Sequence, residues 1–423
     1  MIMAIAILII VLVIFGLPVF AAILAAAMLG LYHSHIEFSA IAIEILRLSN
    51  APVLLAIPLF TFAGYLLSEG NTSARLVRFS RSLLGWLPGG LGVVALVSCA
   101  FFTAITGATG VTIIALGGLL FPALISENYS EDFSLGLITT SGSLGLHFPP
   151  SLPLILYGFV SGASIERLFM AGVFPGSLMV GVLCLFSVFM GKKWKLEAPP
   201  FSSAEFFQSL KGAAWELPIP FLIILGIYTG FFTATEAAAM TAVYVVFIKV
   251  VVYKELSLLG DIPRVMKDSM KMVGSILIIL GAALGFTNYL VDAFIPMKVL
   301  TFLQGLVQSK LGFLLLLNFF LILVGCVMDI FSAILVVVPL IMPLAAKFGI
   351  NPIHLGIIFL ANLGIGYNTP PVGLNLFIAS SRLDQPVMHL YKATLPFLAL
   401  LIIALLIITY WPPLSLFLPS LLR

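Results

Sequence analysis

Two segments of this chain place tandem prolines beside hydroxyl and amide side chains within long apolar runs. They are Ser141-Gly-Ser-Leu-Gly-Leu-His-Phe-Pro-Pro-Ser151 and Asn362-Leu-Gly-Ile-Gly-Tyr-Asn-Thr-Pro-Pro371. Tandem prolines remove two backbone donors and keep the preceding residue out of helical torsions, so we predict that each helix unwinds just before them. Carbonyl groups freed at membrane depth are tolerated only where they line a cavity or meet an ion. The alternative is a simple kink in each helix.

The chemistry that fits such breaks is the binding of Na⁺, a hard monovalent cation that unwound backbone carbonyls coordinate in transporters. The hydroxyl groups of Ser143, Ser151 and Thr369 would add neutral oxygen ligands. The helix that restarts after each proline pair directs its positive N-terminal end into the break, which suits an anionic substrate. We therefore predict a cation and an anion near both breaks.

Two further segments have the composition of tight hairpin tips. The first is Thr103-Ala-Ile-Thr-Gly-Ala-Thr-Gly110 and the second is Gly325-Cys-Val-Met-Asp329. A carboxylate within an apolar run is costly and usually functional, so Asp329 is a candidate ligand; the alternative is a tip exposed to an aqueous vestibule. Alternatively, the small residues of these tips, above all Gly110, have only a packing role.

The remaining polar residues within the apolar runs give no catalytic set. Glu236 is either a functional carboxylate or the cap of a helix N-terminus, and His147 is interpreted as structural. There is no His-Glu-x-x-His pattern and no Walker A loop, so proteolysis and ATP-driven transport lose support. The cysteines Cys99, Cys184 and Cys326 lie in apolar runs, and they predict neither a disulfide framework nor a metal site.

The elements that must position these residues are membrane-spanning helices. The sequence is 61% hydrophobic and only 9% charged, with a mean hydropathy of +1.22. A spanning helix needs about 20 apolar residues, and continuous runs of this kind recur from Met3–Gly30 to His389–Trp411. Continuous rather than alternating apolar runs favour helices over a β-barrel. The first run is too long for a signal peptide, and we interpret it as a span.

The positions of the basic residues predict the orientation. Loops at 71–88, 126–132, 191–215, 249–271 and 382–392 hold fourteen of the Lys and Arg residues, and the other loops hold six. The positive-inside rule places the first set, with the N-terminus, in the cytoplasm. This requires that 89–125 and 312–346 enter and leave on one side, so both are predicted to be re-entrant hairpins.

An internal repeat supports this topology. An offset of 221 residues, the difference between Gly64 and Gly285, superimposes six glycines and prolines, including both proline pairs. We predict a first inverted repeat at 1–195 (the first half), an amphipathic connecting helix at 196–214, and a second inverted repeat at 215–423 (the second half). The broken helices are predicted at about 133–162 and 354–381. Inverted repeats with paired helix breaks are typical of alternating-access transporters.

At these motifs the sequence resembles the large membrane subunit of tripartite ATP-independent periplasmic (TRAP) transporters. The resemblance covers essentially the whole chain and is carried by Ile105-Thr-Gly-Ala-Thr-Gly110, Ser141 to Gly145 with Pro149-Pro150-Ser151, Pro153-Leu-Ile-Leu-Tyr-Gly158, Thr233-Ala-Thr-Glu-Ala-Ala-Ala239, Met328-Asp329 and Asn362 to Gly373. Leu146-His147-Phe148 departs from the smaller or aliphatic residues that we expect of the family.

The resemblance implies an all-α polytopic membrane protein of the ion-transporter superfamily, with an elevator-like motion, Na⁺ coupling and uptake of solutes such as C4-dicarboxylates or sialic acid. It implies a bacterial inner-membrane location, a periplasmic substrate-binding protein, and a separate small four-helix membrane subunit as partners. Membrane lipid is an expected partner and nucleic acid is not. The alternatives are a stand-alone Na⁺/dicarboxylate symporter, a channel, and a membrane-embedded enzyme.

Taken together, the breaks, the hairpin tips and the resemblance predict the site residues. The predicted substrate contacts are Thr106, Ser151, Asn368 and Asp329. The predicted Na⁺ ligands are Thr106, Gly107, Thr109, Ser141, Ser143, Gly145, Gly325, Met328, Asp329, Asn362, Gly366 and Thr369.

Overall fold

The computed structural model describes residues 17–33, 36–49, 51–293 and 309–421, and all regular structure within these ranges is helical. The first half holds α1 Val19–His33, α2 Ser39–Ser49, α3 Ala56–Ser68, α4 Thr72–Leu84, α5 Gly90–Thr106, α6 Thr109–Ser126, α7 Glu131–Ser141, α8 Leu152–Ser161 and α9 Ile165–Trp194. The connecting segment holds α10 Ser203–Gly212. The second half holds α11 Pro218–Tyr228, α12 Ala234–Val252, α13 Asp261–Asp292, α14 Lys310–Val327, α15 Ile330–Lys347, α16 Pro352–Gly366, α17 Leu374–Leu383, α18 Val387–Tyr410 and α19 Pro413–Ser420.

The prediction of an all-α polytopic membrane protein is confirmed. Within the described ranges, seven helices are long and apolar enough to cross a membrane, or eight if the bent pair α7 and α8 counts as one span. Helices such as α5 and α16 are apolar but shorter, with 17 and 15 residues. The predicted span Met3–Gly30 and the loop at 292–311 lie partly outside the described residues.

The order of the helices repeats along the chain. In the first half a pair of adjacent helices, α5 and α6, precedes the interrupted pair α7 and α8 and the long α9. In the second half the pair α14 and α15 precedes the interrupted pair α16 and α17 and the long α18. The connection within each helix pair is very short, as the predicted hairpin tips require. The structure thus contains the same succession of elements twice.

The helices pack in two groups. The helices α1, α2 and α3 pack with α12 and α13. In the other group α14 packs on α16, α7 on α18, α5 on the segment between α7 and α8, and α9 on α18 and α19. The groups meet where α3 contacts α5 and α8, and where α13 contacts α15. Both interrupted helices belong to the second group, so its packing determines the geometry of the breaks.

A charged cluster, formed by the buried Glu216 and Lys249 and the partly buried Arg75 and Glu255, joins α4 and α12 to the segments that follow α10 and α12. Arg75 pairs with both carboxylates, and the ammonium group of Lys249 lies 2.9 Å from Glu255. Burial by itself would raise the pKa of the Glu255 carboxyl, but hydrogen bonds and charges from Arg75 and Lys249 outweigh it and lower the pKa to about 2. The two positive and the two negative charges of the cluster therefore balance one another.

Candidate functional site

The first break lies between α7 and α8. Helix α7 ends at Ser141, a short 3-10 turn follows at Leu144–His147, and α8 begins at Leu152. The Ser151 hydroxyl accepts a hydrogen bond from the Leu154 N–H at 3.4 Å and so caps the restarting helix. The α7 segment and α8 differ in direction by 47°. The backbone is therefore opened immediately before and across the proline pair, as proline chemistry requires.

The second break lies between α16 and α17. Helix α16 ends at Gly366, α17 begins at Leu374, and Gly373 adopts a φ of +58° that favours glycine. The N–H of Asn375 donates back across the break to the Tyr367 carbonyl at 3.0 Å. Both proline pairs, Pro149-Pro150 and Pro370-Pro371, contain a cis peptide bond. The two breaks thus share a backbone design.

In each half a glycine lets the break lie directly against the first arm of its own hairpin. A Cβ atom on Gly145 would lie 2.3 Å from the Ala100 carbonyl oxygen of α5. A Cβ atom on Gly366 would lie 2.6 Å from the Cα atom of Gly325 in α14. Neither position has room for a side chain, because the contacting atoms belong to the backbone. The predicted ligands Gly145, Gly325 and Gly366 therefore have at least a packing role.

The tip of the first hairpin is hydrogen-bonded to the first break. The Thr103 hydroxyl donates to the Gly142 carbonyl at 3.0 Å and pairs with the Thr112 hydroxyl on the other arm at 2.7 Å. Gly107 has a φ of +68° and ends α5, while the Thr106 hydroxyl donates to its own helix. The predicted ligands Thr106, Gly107 and Thr109 consequently surround a tip that is held against Gly142. Thr109 itself is buried.

The tip of the second hairpin is hydrogen-bonded to the second break. The Gly373 N–H donates to the Cys326 carbonyl at 2.9 Å, and the Ile330 N–H donates to the Tyr367 hydroxyl. Asp329 is half-buried and caps α15, because its carboxylate accepts hydrogen bonds from the N–H groups of Phe331 and Ser332 and from the Ser332 hydroxyl. A ligand at Asp329 would have to share the carboxylate with these donors. Met328 precedes the cap and is also half-buried.

Asn368 joins the two breaks to each other. Its Nδ2 donates to the Ser143 hydroxyl oxygen of the first break at 3.2 Å and to the Gly364 carbonyl at 2.9 Å. Its Oδ1 accepts from the Asn375 Nδ2 at 3.2 Å. Asn368, Asn375 and Ser143 are all buried. The predicted substrate contact Asn368 and the predicted Na⁺ ligand Ser143, which are 225 residues apart in the chain, are therefore brought into direct contact.

Several polar atoms near the breaks have no hydrogen-bond partner among the described residues. The Oδ1 atoms of Asn362 and Asn375 are buried and unpaired. An unpaired buried amide oxygen costs roughly 1 to 3 kcal/mol, so these oxygens are suited to a ligand that supplies positive charge. Within the described ranges, no group of three His, Cys, Asp or Glu residues is arranged to hold a metal. Apart from the Asp329 carboxylate, the predicted ligands are neutral oxygens, which suit a monovalent cation better than Zn²⁺.

The other predicted positions have mainly structural contacts. The hydroxyl groups of Ser141 and Thr369 donate to carbonyls of their own helices. Glu236 and Thr233 form a reciprocal capping box at the start of α12, which confirms the capping interpretation of Glu236. His147 is fully buried against α9, where a Cβ on Gly172 would lie 2.0 Å from the His147 carbonyl. Neither ring nitrogen of His147 meets hydrogen-bond geometry with a described residue.

Two residues of these networks were not predicted. Asn375 follows the second proline pair by only a few positions, and Asn318 lies in the middle of the apolar helix α14. Asn318 accepts from Asn362 at 2.8 Å. The sequence signal that could have identified Asn318 is an amide inside an apolar run, since polar groups at membrane depth are costly and usually functional.

Comparison with known proteins defines the class. Residues 6–414 match the family model of the tripartite ATP-independent periplasmic transporter, DctM component, and the chain belongs to this family. It is 35% identical over 398 residues to a C4-dicarboxylate TRAP transporter large permease protein DctM of Pseudomonas aeruginosa, covering 94% of this chain and 93% of the relative.

A second relative has a different named substrate. The sialic acid TRAP transporter large permease protein SiaM of Vibrio cholerae is 34% identical over 369 residues, covering 87% of this chain and 86% of the relative. Among solved structures, the Alcanivorax borkumensis YdaH transporter superimposes with a TM-score of 0.61 at 15% identity, covering 86% of this chain and 84% of that one. This last similarity shows the fold alone. The chain is a membrane permease of the TRAP family.

Proposed function

We propose that this chain is the large subunit of a Na⁺-coupled importer of a carboxylate-bearing solute, of the C4-dicarboxylate or sialic acid type. The relatives named above are permeases for these two substrates, and both substrates are carboxylates. The part of the chain that the structure describes offers no cluster of metal-binding side chains, and the sequence has no nucleotide-binding loop. An ion gradient then drives uptake, since one charge crossing 100 mV yields about 2.3 kcal/mol.

The observation that carries this proposal is the contact between the two breaks. Asn368 bonds Ser143 across the halves, and each break is bonded to the tip of its own hairpin by Thr103 or Cys326. Such a junction collects opened backbone and neutral polar oxygens at one place within the bundle. In our proposal Na⁺ binds between each hairpin tip and its facing break, and holds both hairpins in a shape that accepts substrate.

The solute is proposed to bind beside the Na⁺ sites, in contact with Thr106, Ser151, Asn368 and Asp329. The N-terminus of α8, which Ser151 caps, directs its positive end toward the first break. A carboxylate of the solute would gain from that end and from bound Na⁺, whereas the Asp329 carboxylate would repel it. We therefore expect Asp329 to contact a hydroxyl or amide group of the solute, or Na⁺, rather than the solute's carboxylate.

An elevator-type movement is proposed from the packing of the helices in two groups. The group of α1, α2, α3, α12 and α13 would stay fixed in the membrane, and the group that contains both breaks would move as a rigid body. The two predicted repeats would be inverted, with the N-terminus in the cytoplasm and the chain in the bacterial inner membrane. A periplasmic substrate-binding protein and a small four-helix membrane subunit would complete the transporter.

Uptake of labelled solute into liposomes tests the function. We expect uptake only with an inward Na⁺ gradient, the small subunit and the substrate-binding protein, and no uptake when choline replaces Na⁺. Uptake without the soluble protein would identify a stand-alone symporter instead. Currents far above carrier turnover would identify a channel, and chemically altered solute would identify an enzyme.

The placement of the cation is tested by Ser143→Ala and Thr369→Ala. Each change removes one proposed oxygen ligand, so we expect the Na⁺ concentration for half-maximal uptake to rise several-fold, with a similar maximal rate. Thr394→Val is a matched control, because the Thr394 hydroxyl bonds only carbonyls of its own helix, α18. An unchanged Na⁺ dependence in both alanine variants would contradict this placement.

A further inference from the structure

Asn318 is an amide in the middle of the apolar helix α14, the first arm of the second hairpin. Its side chain is 5% exposed, and its neighbours on the same face, Leu314, Leu317 and Leu321, are apolar and buried. Packing of α14 on α16 does not require an amide at this position. Burial of an amide costs free energy unless its polar groups are hydrogen-bonded. The contacts of Asn318 must therefore account for its presence.

The Asn318 amide links three helices. Its Oδ1 accepts from the Asn362 Nδ2 of α16 at 2.8 Å and from the Thr409 hydroxyl of α18 at 3.3 Å, and its Nδ2 lies 3.1 Å from the same hydroxyl oxygen. The Thr409 carbonyl in turn lies 3.3 Å from the His354 Nε2. All of these side chains are buried. Asn318 is thus held on one side by α18 and directs an acceptor toward Asn362 on the other.

This arrangement fixes the orientation of the Asn362 amide. The Asn362 Nδ2 donates both to the Asn318 Oδ1 and to the Ile358 carbonyl, each at 2.8 Å. Both partners are acceptors there, so exchanging the nitrogen and oxygen of Asn362 would place oxygen against oxygen. The Asn362 Oδ1 is left buried and unpaired among the described residues, as a cation ligand has to be.

We propose that Asn318 is a positioning residue for the coupling cation: it holds the Asn362 amide so that the Asn362 Oδ1 serves as a Na⁺ ligand. This inference rests on the proposed Na⁺ coupling. The role belongs to the second half alone. At the offset of 221 residues, Asn318 corresponds to Val97 and Asn362 to Ser141, whose hydroxyl donates to the Ile138 carbonyl of its own helix.

The experiment is thermal unfolding of the purified full-length chain in detergent at increasing NaCl, with choline chloride to keep ionic strength constant. A ligand that binds only the folded state raises the unfolding temperature, and the concentration dependence reports its affinity. We expect Asn318→Leu, which keeps the volume but removes the hydrogen bonds, to raise the Na⁺ midpoint about tenfold, as loss of an outer partner of a ligand does in metal sites. Asn362→Ala should raise it at least as much.

Two further variants separate positioning from packing. Because Asn318 acts through Asn362, the double variant Asn318→Leu with Asn362→Ala should show the midpoint of Asn362→Ala alone. Asn318→Asp keeps an acceptor oxygen toward Asn362, so its midpoint should not rise. Thr394→Val, the control used above, should leave the midpoint unchanged. If Asn318→Leu does not yield folded protein, Asn318→Ser provides the same comparison.

The possible failures are distinguishable. A wild-type chain whose unfolding temperature responds equally to NaCl and choline chloride would contradict Na⁺ coupling, and the role of Asn318 with it. A wild-type response to Na⁺ together with an unshifted midpoint in the Asn318 variant would overturn only the role of Asn318. Additive shifts in the double variant would also overturn it, since Asn318 would then act by another route.

Discussion

The two halves of the chain interrupt a helix at the same position of the repeat, yet they satisfy the opened backbone with different side chains. In the first half the hydroxyl groups of Thr103 and Ser143 donate to carbonyls at the break. The second half has a comparable hydroxyl, Thr369, but adds the amides of Asn362 and Asn368, which donate to the Ile358 and Gly364 carbonyls of α16. A hydroxyl rotates between donor and acceptor roles, whereas an amide held by two acceptors presents its oxygen in one direction. Both halves therefore contain the same backbone break, but different side chains surround it.

This difference has a functional consequence. Among the described residues, the buried amide oxygens without a partner, on Asn362 and Asn375, both lie in the second half, where Asn318 fixes the first of them. Oriented oxygens bind a cation without further reorganisation of the protein. We therefore expect the second break to bind Na⁺ more tightly than the first. The variants below are ordered by expected size, and each one tests some part of this contrast.

The largest effect is expected for Glu216→Ala, which leaves both breaks intact. Glu216 is fully buried and pairs with Arg75, so its removal leaves an uncompensated charge and should lower the free energy of unfolding by about 3 to 5 kcal/mol. The exposed pair of Arg78 and Glu205 is the control, since Glu205→Ala should cost about 1 kcal/mol or less. Thermal unfolding measures both. A normal Na⁺ midpoint in Glu216→Ala would show that lost stability alone does not weaken Na⁺ binding.

The next largest effect is expected at the glycine that lets each break contact its hairpin arm, a feature that both halves share. Gly145→Ala and Gly366→Ala each force a Cβ atom into neighbouring backbone, so each should destabilise the protein by about 1 to 3 kcal/mol. Gly181, whose Cβ would meet open space, is the control, and Gly181→Ala should be nearly neutral. Unfolding curves of the three variants suffice. A large loss of stability in only one of the two variants would mean that close contact between the break and its hairpin arm is needed in one half alone.

Asn368→Ala tests the connection between the halves. The change removes the bond to Ser143 and leaves the Asn375 Nδ2 without its acceptor, so we expect uptake at saturating Na⁺ to fall about tenfold, which corresponds to roughly 1.4 kcal/mol. Liposome uptake and thermal unfolding should be measured together. Normal uptake would show that the two breaks do not need this bond in order to act as one site.

The smallest effect near pH 7 is expected from the ionisation of Glu255, which changes only in acid. Because the pKa of Glu255 is lowered from 4.5 to about 2, its stabilising contribution is complete above pH 4.5 and is lost as the pH falls toward 2. The unfolding temperature should therefore decline over this window, and less steeply in Glu255→Gln. Equal slopes in wild type and variant would contradict the proposed ionic role of Glu255. Since Glu255 belongs to neither break, the Na⁺ midpoint at pH 7 should not change.

Much of the architecture could be predicted from local sequence. The proline pairs bar helical torsions at the residue before them, so an interruption near Pro149 and near Pro370 follows from covalent structure. The exact ends of α7 at Ser141 and of α16 at Gly366 do not follow from the prolines alone. The capping of α12 by Glu236 likewise depends on residues within one helical turn. The same holds for the cap that Asp329 forms at the start of α15, because its contacts are local.

The partners of the polar side chains depended on tertiary structure. Asn368 and Ser143 are 225 residues apart, and Asn318 and Thr409 are 91 residues apart. Their hydrogen bonds exist only because the packing of α14, α16 and α18 brings the helices together. Sequence alone thus determined a membrane protein of paired hairpins and paired helix breaks, since apolar runs and prolines act locally. Only the tertiary structure decided which amide oxygens stay unpaired, because each pairing joins distant segments.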